Sequence, residues 1–219
     1  MLWDAVRRSP LPDVAAVQYG ELRDWLRDLD LLLWSSHSTA GRFIRLGQRI
    51  GKGMEGSWCS HCSLVLTVRG AGGMMHVLNL ESTTESKTPD FFTRASRSGS
   101  QVNLLSHRLA NYHGRVYVRR LNNRLRTPQA VARLHEIRLE TSGLKYERNW
   151  REWIGAGVGW ITNRENREGL FCSELVAHVF QEIGILGGER PSNEYAPADF
   201  TAARWPADGL YQPELEIVP

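Results

Sequence analysis

Three side chains in this 219-residue sequence could supply a nucleophile, a base and a group to orient the base: Cys172, His61 and Glu81. Cys172 lies in the run Phe171-Cys172-Ser173-Glu174-Leu175-Val176-Ala177-His178-Val179-Phe180. Leu175, Val176, Val179, Phe180 and Ile183 fall on one apolar helical face. Gly184 follows, where a helix C-terminus favours glycine. The cysteine is therefore expected in the first turn of a helix whose body is buried. Unpaired backbone N–H groups and the positive end of the helix dipole gather at such a terminus and favour an anion. A thiolate is an anion, and a nearby base can bring a cysteine pKa from ~8.5 into the range ~3.5–7.5. The same N–H groups can receive the oxyanion that forms when sulfur attacks a carbonyl. A free cysteine also packs as a small buried hydrophobe, so the catalytic reading depends on a base supplied elsewhere.

The element best suited to supply that base is a hairpin. Residues His61 to Val68 and Met74 to Glu81 read as strands around the turn Arg69-Gly70-Ala71-Gly72-Gly73. A five-residue turn there pairs His61 directly with Glu81. Directly opposed residues share a face of the sheet, with Cβ atoms roughly 4.5–5.5 Å apart. Glu81 would then hold the imidazole, fix its tautomer and favour imidazolium, leaving the other ring nitrogen for Cys172. A slip of one residue would turn Glu81 to the opposite face. Asn79, diagonal on the same face, is the alternative orienting group.

The elements around this pair follow from local signals. Glu21 to Arg27 reads as a short helix and Leu29 to Trp34 as a buried strand, with residues 1–18 an irregular arm broken by Pro10 and Pro12. Phe43 to Leu46 starts a helix that stops in the glycine-rich segment around Gly51 to Gly56. Val102 to Leu105 and Arg115 to Leu121 look extended, with a capped helical turn from Ser106 between them. Thr127-Pro128 is an N-cap followed by proline at the first helical position, opening a helix to about Glu140. Trp153 to Trp160 is too rich in glycine for a stable helix and reads as a loop or bent strand near the Cys172 helix. Asp199 is expected to cap a short final helix, and Glu214 to Val218 to form a last strand. The division expected is an arm and short helix over residues 1–28 and one domain over 29–219.

Taken in order, Leu29-Asp30-Leu31-Leu32-Leu33-Trp34, Ser60-His61, Val77-Leu78-Asn79-Leu80-Glu81, Val102 through Arg120 with Tyr112 and Gly114, Phe171 through Val176, and Tyr195 through Phe200 resemble one family. It is the YiiX/YebB-like group of the NlpC-type, circularly permuted papain-like cysteine hydrolases. The order is the specific part, because histidine first and cysteine last inverts the papain arrangement. The resemblance implies an α+β, circularly permuted papain-like (NlpC-type) fold, with an antiparallel sheet carrying the histidine packed against a helix carrying the cysteine. It implies Cys172 as nucleophile, His61 as general base and Glu81 as third member. Two places depart from the pattern. Leu29 stands where the family has glycine, and Cys62 and Ser63 follow His61 where it tends to have Val and Gly. The Asn-Cys-Glu-His motif of the lecithin retinol acyltransferase branch is absent, which weighs against a phospholipid acyltransferase.

Composition excludes several classes. The net charge is +3, and Lys52, Lys87 and Lys145 are the only lysines among 27 basic residues. The arginines are scattered rather than blocked, so no nucleic-acid partner is expected. Three cysteines are too few, and odd in number, for a disulfide framework. No stretch of 18 or more apolar residues suggests a membrane span. A cytoplasmic protein is expected, without cofactor. Cys59 and Cys62 form a C-x-x-C pair, but zinc would need four ligands and no second pair exists, so both are read as structural. Ser35 and Ser36 are weak candidates for oxyanion binding, His37 reads as a surface loop residue, and Glu174 as a helix-terminal structural acid. The expected activity is that of a thiol hydrolase forming an acyl-enzyme on Cys172 and cleaving an amide: peptide, isopeptide or side-chain amide. The alternatives are hydrolysis or transfer of a lipid or thioester acyl group, and a catalytically silent binding module.

Overall fold

A computed structural model of the chain describes residues 11–53, 55–85, 87–145, 171–207 and 209–219. Its framework is one seven-stranded sheet in the order β1-β7-β6-β2-β3-β4-β5. The strands are β1 (Ala16–Gln18), β2 (Leu31–Ser36), β3 (His61–Arg69), β4 (Met75–Thr83), β5 (Gly99–Leu104), β6 (Gly114–Arg119) and β7 (Leu215–Val218). Every neighbouring pair is antiparallel except β1 and β7. The helices are α1 (Tyr19–Leu22), α2 (Thr39–Lys52), α3 (Leu105–Ala110), α4 (Pro128–Glu140) and α5 (Cys172–Glu182). The architecture is mixed α+β.

Both faces of the central strands are covered. Leu31, Leu33, Cys62, Leu64, Leu66, Leu78 and Leu80 share one core with the inner faces of α4 and α5. Their alternating neighbours Leu32, Trp34, Val65 and Val77 join a second core with Leu105 and Leu109 of α3. Double coverage explains why Leu31 to Trp34 is apolar without alternation. The arm contributes more than an irregular lead: Ala16–Gln18 adds an edge strand beside β7. Trp153 to Trp160 lies outside the described residues.

The hairpin register differs from the one expected. Leu64 pairs with Leu80 and Arg69 with Met75, so the turn runs from Gly70 to Met74, one residue later than expected. Gly72 (φ 72°) and Gly73 (φ 81°) take left-handed backbone there, and the Gly70 N–H donates to the Met74 carbonyl at 2.7 Å. In this register Glu81 is two positions away from direct opposition to His61. An even offset preserves the face, since side chains alternate with period two.

The helix termini follow their local chemistry. Thr127 caps α4 by accepting from the Ala130 N–H, and Ser38 caps α2 by accepting from Gly41. Helix α2 begins four residues before Phe43 because that cap is at Ser38. Helix α5 closes on Gly184 (φ 74°), with the Gly184 N–H on the Gln181 carbonyl and the Ile185 N–H on that of Phe180. This paired closure is the Schellman arrangement. Asp199 lies inside a final 3-10 turn and caps it from there, accepting from the Ala196 N–H at 2.9 Å.

Leu29 has φ 69°, in the region glycine occupies freely. Leu29 is nevertheless fully buried, and its carbonyl accepts from the Tyr211 hydroxyl at 2.8 Å. Asp30 beside it is buried too, bound to Arg126 at 2.5 Å and to the Leu121 N–H at 3.0 Å. Burial pushes its carboxyl up to about 6 despite these partners.

Candidate active site

Cys172 is the first residue of α5, following the N-cap Phe171, and only 5% exposed. The apolar row of α5 (Leu175, Val176, Val179, Phe180) anchors it on the first face of the sheet. Glu174 accepts from the Phe171 N–H at 3.2 Å, the structural role expected of it. His61 is the first residue of β3. It alternates with Cys62 and so projects toward the second face, its ring 6.1 Å from that of Trp34. The two meet because His61 stands at the end of its strand. There Cys172 contacts the backbone and side chain of Cys62 and the imidazole of His61.

Behind the histidine the chain of contacts continues. His61 Nε2 lies 2.6 Å from Glu81 Oε2, on the diagonal the register allows. That leaves Nδ1 as the nitrogen available to Cys172. Glu81 is wholly buried and also accepts from Arg108: Nε to Oε1 at 2.7 Å and Nη2 to Oε2 at 3.4 Å. The Arg108 guanidinium lies over the rings of Trp34 at 5.1 Å and Tyr112 at 5.3 Å. Trp34 is fixed in turn by its indole N–H, which donates to Ser63 Oγ at 2.7 Å. Asn79 is buried, but its amide meets no hydrogen-bond partner among the described residues, so it does not hold His61.

The charges support one another. The Cys172 thiol is held well below its usual range by the Cys62 S–H donated to its sulfur, against the effect of burial, with His61 adding to the lowering. Burial by itself would lower His61, yet the anionic sulfur of Cys172 and the Glu81 carboxylate raise it from 6.5 to about 9. Burial likewise opposes ionisation of Glu81, but Arg108 first and His61 second bring it from 4.5 to about 2. These shifts favour thiolate and imidazolium in the pair, backed by a carboxylate and a guanidinium.

Two members of this assembly escaped the sequence reading. Cys62, read as structural, lies against the nucleophile. Burial and the neighbouring Cys172 sulfur push its thiol well up, which keeps it protonated as a donor. Arg108 did leave a trace: Leu105, Arg108 and Leu109 share the buried face of α3, and an arginine in such a row needs a buried partner. Cys59 keeps a structural role, its thiol pushed up by burial and donating to the His61 carbonyl at 3.2 Å. The Ser36 N–H is occupied by Ser60 Oγ at 2.9 Å, which removes it as an oxyanion donor. His37 is exposed in its loop.

Gln48 of α2 positions the segment leading into His61. Its Nε2 donates to the Cys59 carbonyl and its Oε1 accepts from the Ala198 N–H, both at 2.7 Å. Asp199 ties the same region together through Lys52 at 2.5 Å, Arg190 at 3.0 Å and Arg204 at 3.3 Å. Among the described residues, no three His, Cys, Asp or Glu side chains gather as a metal-binding group. No described helix is long and apolar enough to cross a membrane.

No family model and no curated protein matches the chain. Among solved structures, the crystal structure of the metalloprotein YiiX from Escherichia coli O157:H7 is similar at 17% identity and a TM-score of 0.45, over 74% of this chain and 68% of that one. That is a partial likeness between distant chains, and the chemistry of the site rests on the geometry of Cys172, His61, Glu81 and Arg108.

Proposed function

We propose that this protein is a thiol hydrolase of the permuted papain-like kind, acting through Cys172, His61 and Glu81 on an amide bond. One observation carries the reading: a cysteine at a helix N-terminus touches a histidine that is bound through its other ring nitrogen to a buried carboxylate. That is the arrangement nucleophilic acyl transfer needs. The order of histidine strand and cysteine helix along the chain, inverted relative to papain, agrees with it.

In this mechanism the Cys172 thiolate attacks the substrate carbonyl carbon. A C–S bond forms and the carbonyl π pair moves to oxygen. Unpaired backbone N–H groups in the first turn of α5 would receive that oxyanion. The imidazolium then gives its Nδ1 proton to the departing nitrogen as the C–N bond breaks, leaving a thioester on Cys172. Neutral His61 next takes a proton from water, whose oxygen attacks the thioester, and the thiolate is regenerated with release of a carboxylic acid. Glu81 orients the imidazole and stabilises its charge, and Arg108 holds Glu81 ionised in a buried position.

The test is trapping of the acyl-enzyme. Wild-type protein incubated with a panel of peptide, isopeptide, thioester and phospholipid substrates should gain the acyl mass on the Cys172 peptide, most readily from amides. Ester or thioester donors labelling it while amides do not would move the assignment to acyl hydrolysis or transfer. No label from any donor, with Cys172 also unreactive to alkylation, would leave a binding module.

A further inference from the structure

Helix α2 turns its polar side inward and its apolar side outward. Gly41 and the amide of Gln48 are buried against the protein. Phe43 and Ile50, two turns apart on the opposite side, are 57% and 68% exposed, with Leu46 half-buried in the same row. A solvated helix shows the reverse pattern. Beside this row, at intervals of three, four and three residues, stand Arg42, Arg45, Arg49 and Lys52, and the helix contains no acidic residue. Arg45 is held by the Ser36 carbonyl and Lys52 by Asp199, while the Arg42 side chain is exposed.

We propose that α2 is a docking surface for an anionic lipid bilayer. An outward apolar row with phenylalanine and isoleucine, flanked by cations and free of acids, suits a helix lying in the plane of a membrane interface. The apolar side chains enter the acyl boundary while the exposed Arg42 meets lipid phosphates. Charge complementarity selects this occupant. A nucleic acid would use the basic row but gain nothing from Phe43 and Ile50, and a second copy of the chain would bring its own cations against these. The inner side of α2 is bonded through Gln48 to the carbonyl of Cys59, two residues before His61, so the helix would stand between a docked bilayer and the segment leading into His61.

The experiment is sedimentation of the full chain with vesicles of phosphatidylcholine alone or with about one-third phosphatidylglycerol. It needs no turnover at Cys172, so its outcome is separate from that of the hydrolase reading. The protein should pellet with the anionic vesicles, only weakly with the neutral ones, and less as salt rises. The pair Phe43→Ser and Ile50→Ser should lower partitioning at least about tenfold with far-ultraviolet dichroism unchanged, and Arg42→Glu should lower it severalfold. Failure of the wild type to bind anionic vesicles, or equal binding by the folded paired variant, would overturn the proposal. So would a wild-type dimer that the paired variant dissolves without any vesicle binding, which would assign the face to a second copy. If the pair does not fold, Ile50→Ser alone and the salt series decide: binding indifferent to both overturns it, and binding weakened by both upholds it.

Discussion

Replacing Glu81 by Gln keeps the shape of the side chain and removes its charge, with separate effects on reactivity and stability. The imidazole of His61 stands at about 9 rather than 6.5, against the lowering effect of burial. At ~1.4 kcal/mol per pKa unit, that net gap is roughly 3 kcal/mol, and the Cys172 sulfur and Glu81 together supply it and offset the effect of burial besides. Losing the Glu81 share should lower the His61 pKa by about one unit or more. The thiolate–imidazolium pair then gives way to neutral partners at lower pH. In stability terms the substitution strands Arg108, whose buried guanidinium keeps the aromatic faces of Trp34 and Tyr112 but no carboxylate. Breaking a buried pair from one side costs about 3–5 kcal/mol, whereas removing both charges costs far less. Glu81→Gln should therefore be strongly destabilised, and Glu81→Gln with Arg108→Met should recover a large part of the loss. The assays are alkylation rates of Cys172 by iodoacetamide across pH, read by peptide mass spectrometry, and urea denaturation of the two variants. An unchanged pH profile in Glu81→Gln would refute the coupling of Glu81 to His61. A double variant no more stable than the single one would refute the pairing with Arg108.

Other changes probe the same framework. His61→Ala should abolish the low-pH alkylation of Cys172 and do so more completely than Glu81→Gln; near-wild-type rates at about pH 6 would remove the dyad. Cys62→Ala deletes the S–H donor at the Cys172 sulfur while keeping the backbone N–H, so the Cys172 pKa should rise and its low-pH alkylation slow in part, whereas Cys59→Ala should leave that rate alone. The pH dependence of stability sums the contributions of Glu81, His61 and Cys172. Glu81, lowered from 4.5 to about 2, stabilises the fold above its unfolded value and loses that contribution as pH falls through about 2. His61, raised from 6.5 to about 9, stabilises below its unfolded value and loses the contribution as pH rises through about 9. Cys172, held well below its usual range, works in the opposite sense and gains stability as pH rises, which offsets the His61 loss. Urea midpoints should fall on the acid side as Glu81 is protonated and stay nearly level between about pH 6.5 and 9, and a steep fall there would contradict the thiolate–imidazolium pair. Leu29→Gly should relieve about 1 kcal/mol of left-handed backbone strain yet forfeit about 2–3 kcal/mol of burial, for a net loss that thermal unfolding would show. A stabilised variant would mean that strain outweighs packing at this position.

The placement of Cys172 at a helix terminus was legible in the residues because it rests on local rules: one apolar face repeating at helical spacing, and a glycine that closes the last turn. The contact of His61 with Glu81 was legible for a different reason. The pairing inferred for the hairpin was two positions off, but strand side chains alternate with period two, so an even error left both residues on one face and within diagonal reach. Thr127-Pro128 announced its helix through capping chemistry that involves only neighbours in sequence. Cys62 and Arg108 were not legible in this way. Cys62 alternates away from His61 along β3, and its contact with the nucleophile exists because α5 packs across the opposite face of the sheet. Arg108 reaches Glu81 from a short helix whose chain separation from it is 27 residues, across the second core. The outward apolar row of α2 was hidden as well, because periodicity defines a face but not which way it points. Direction, partner and charge state at these positions come from long-range packing, which brings together side chains that no local pattern relates.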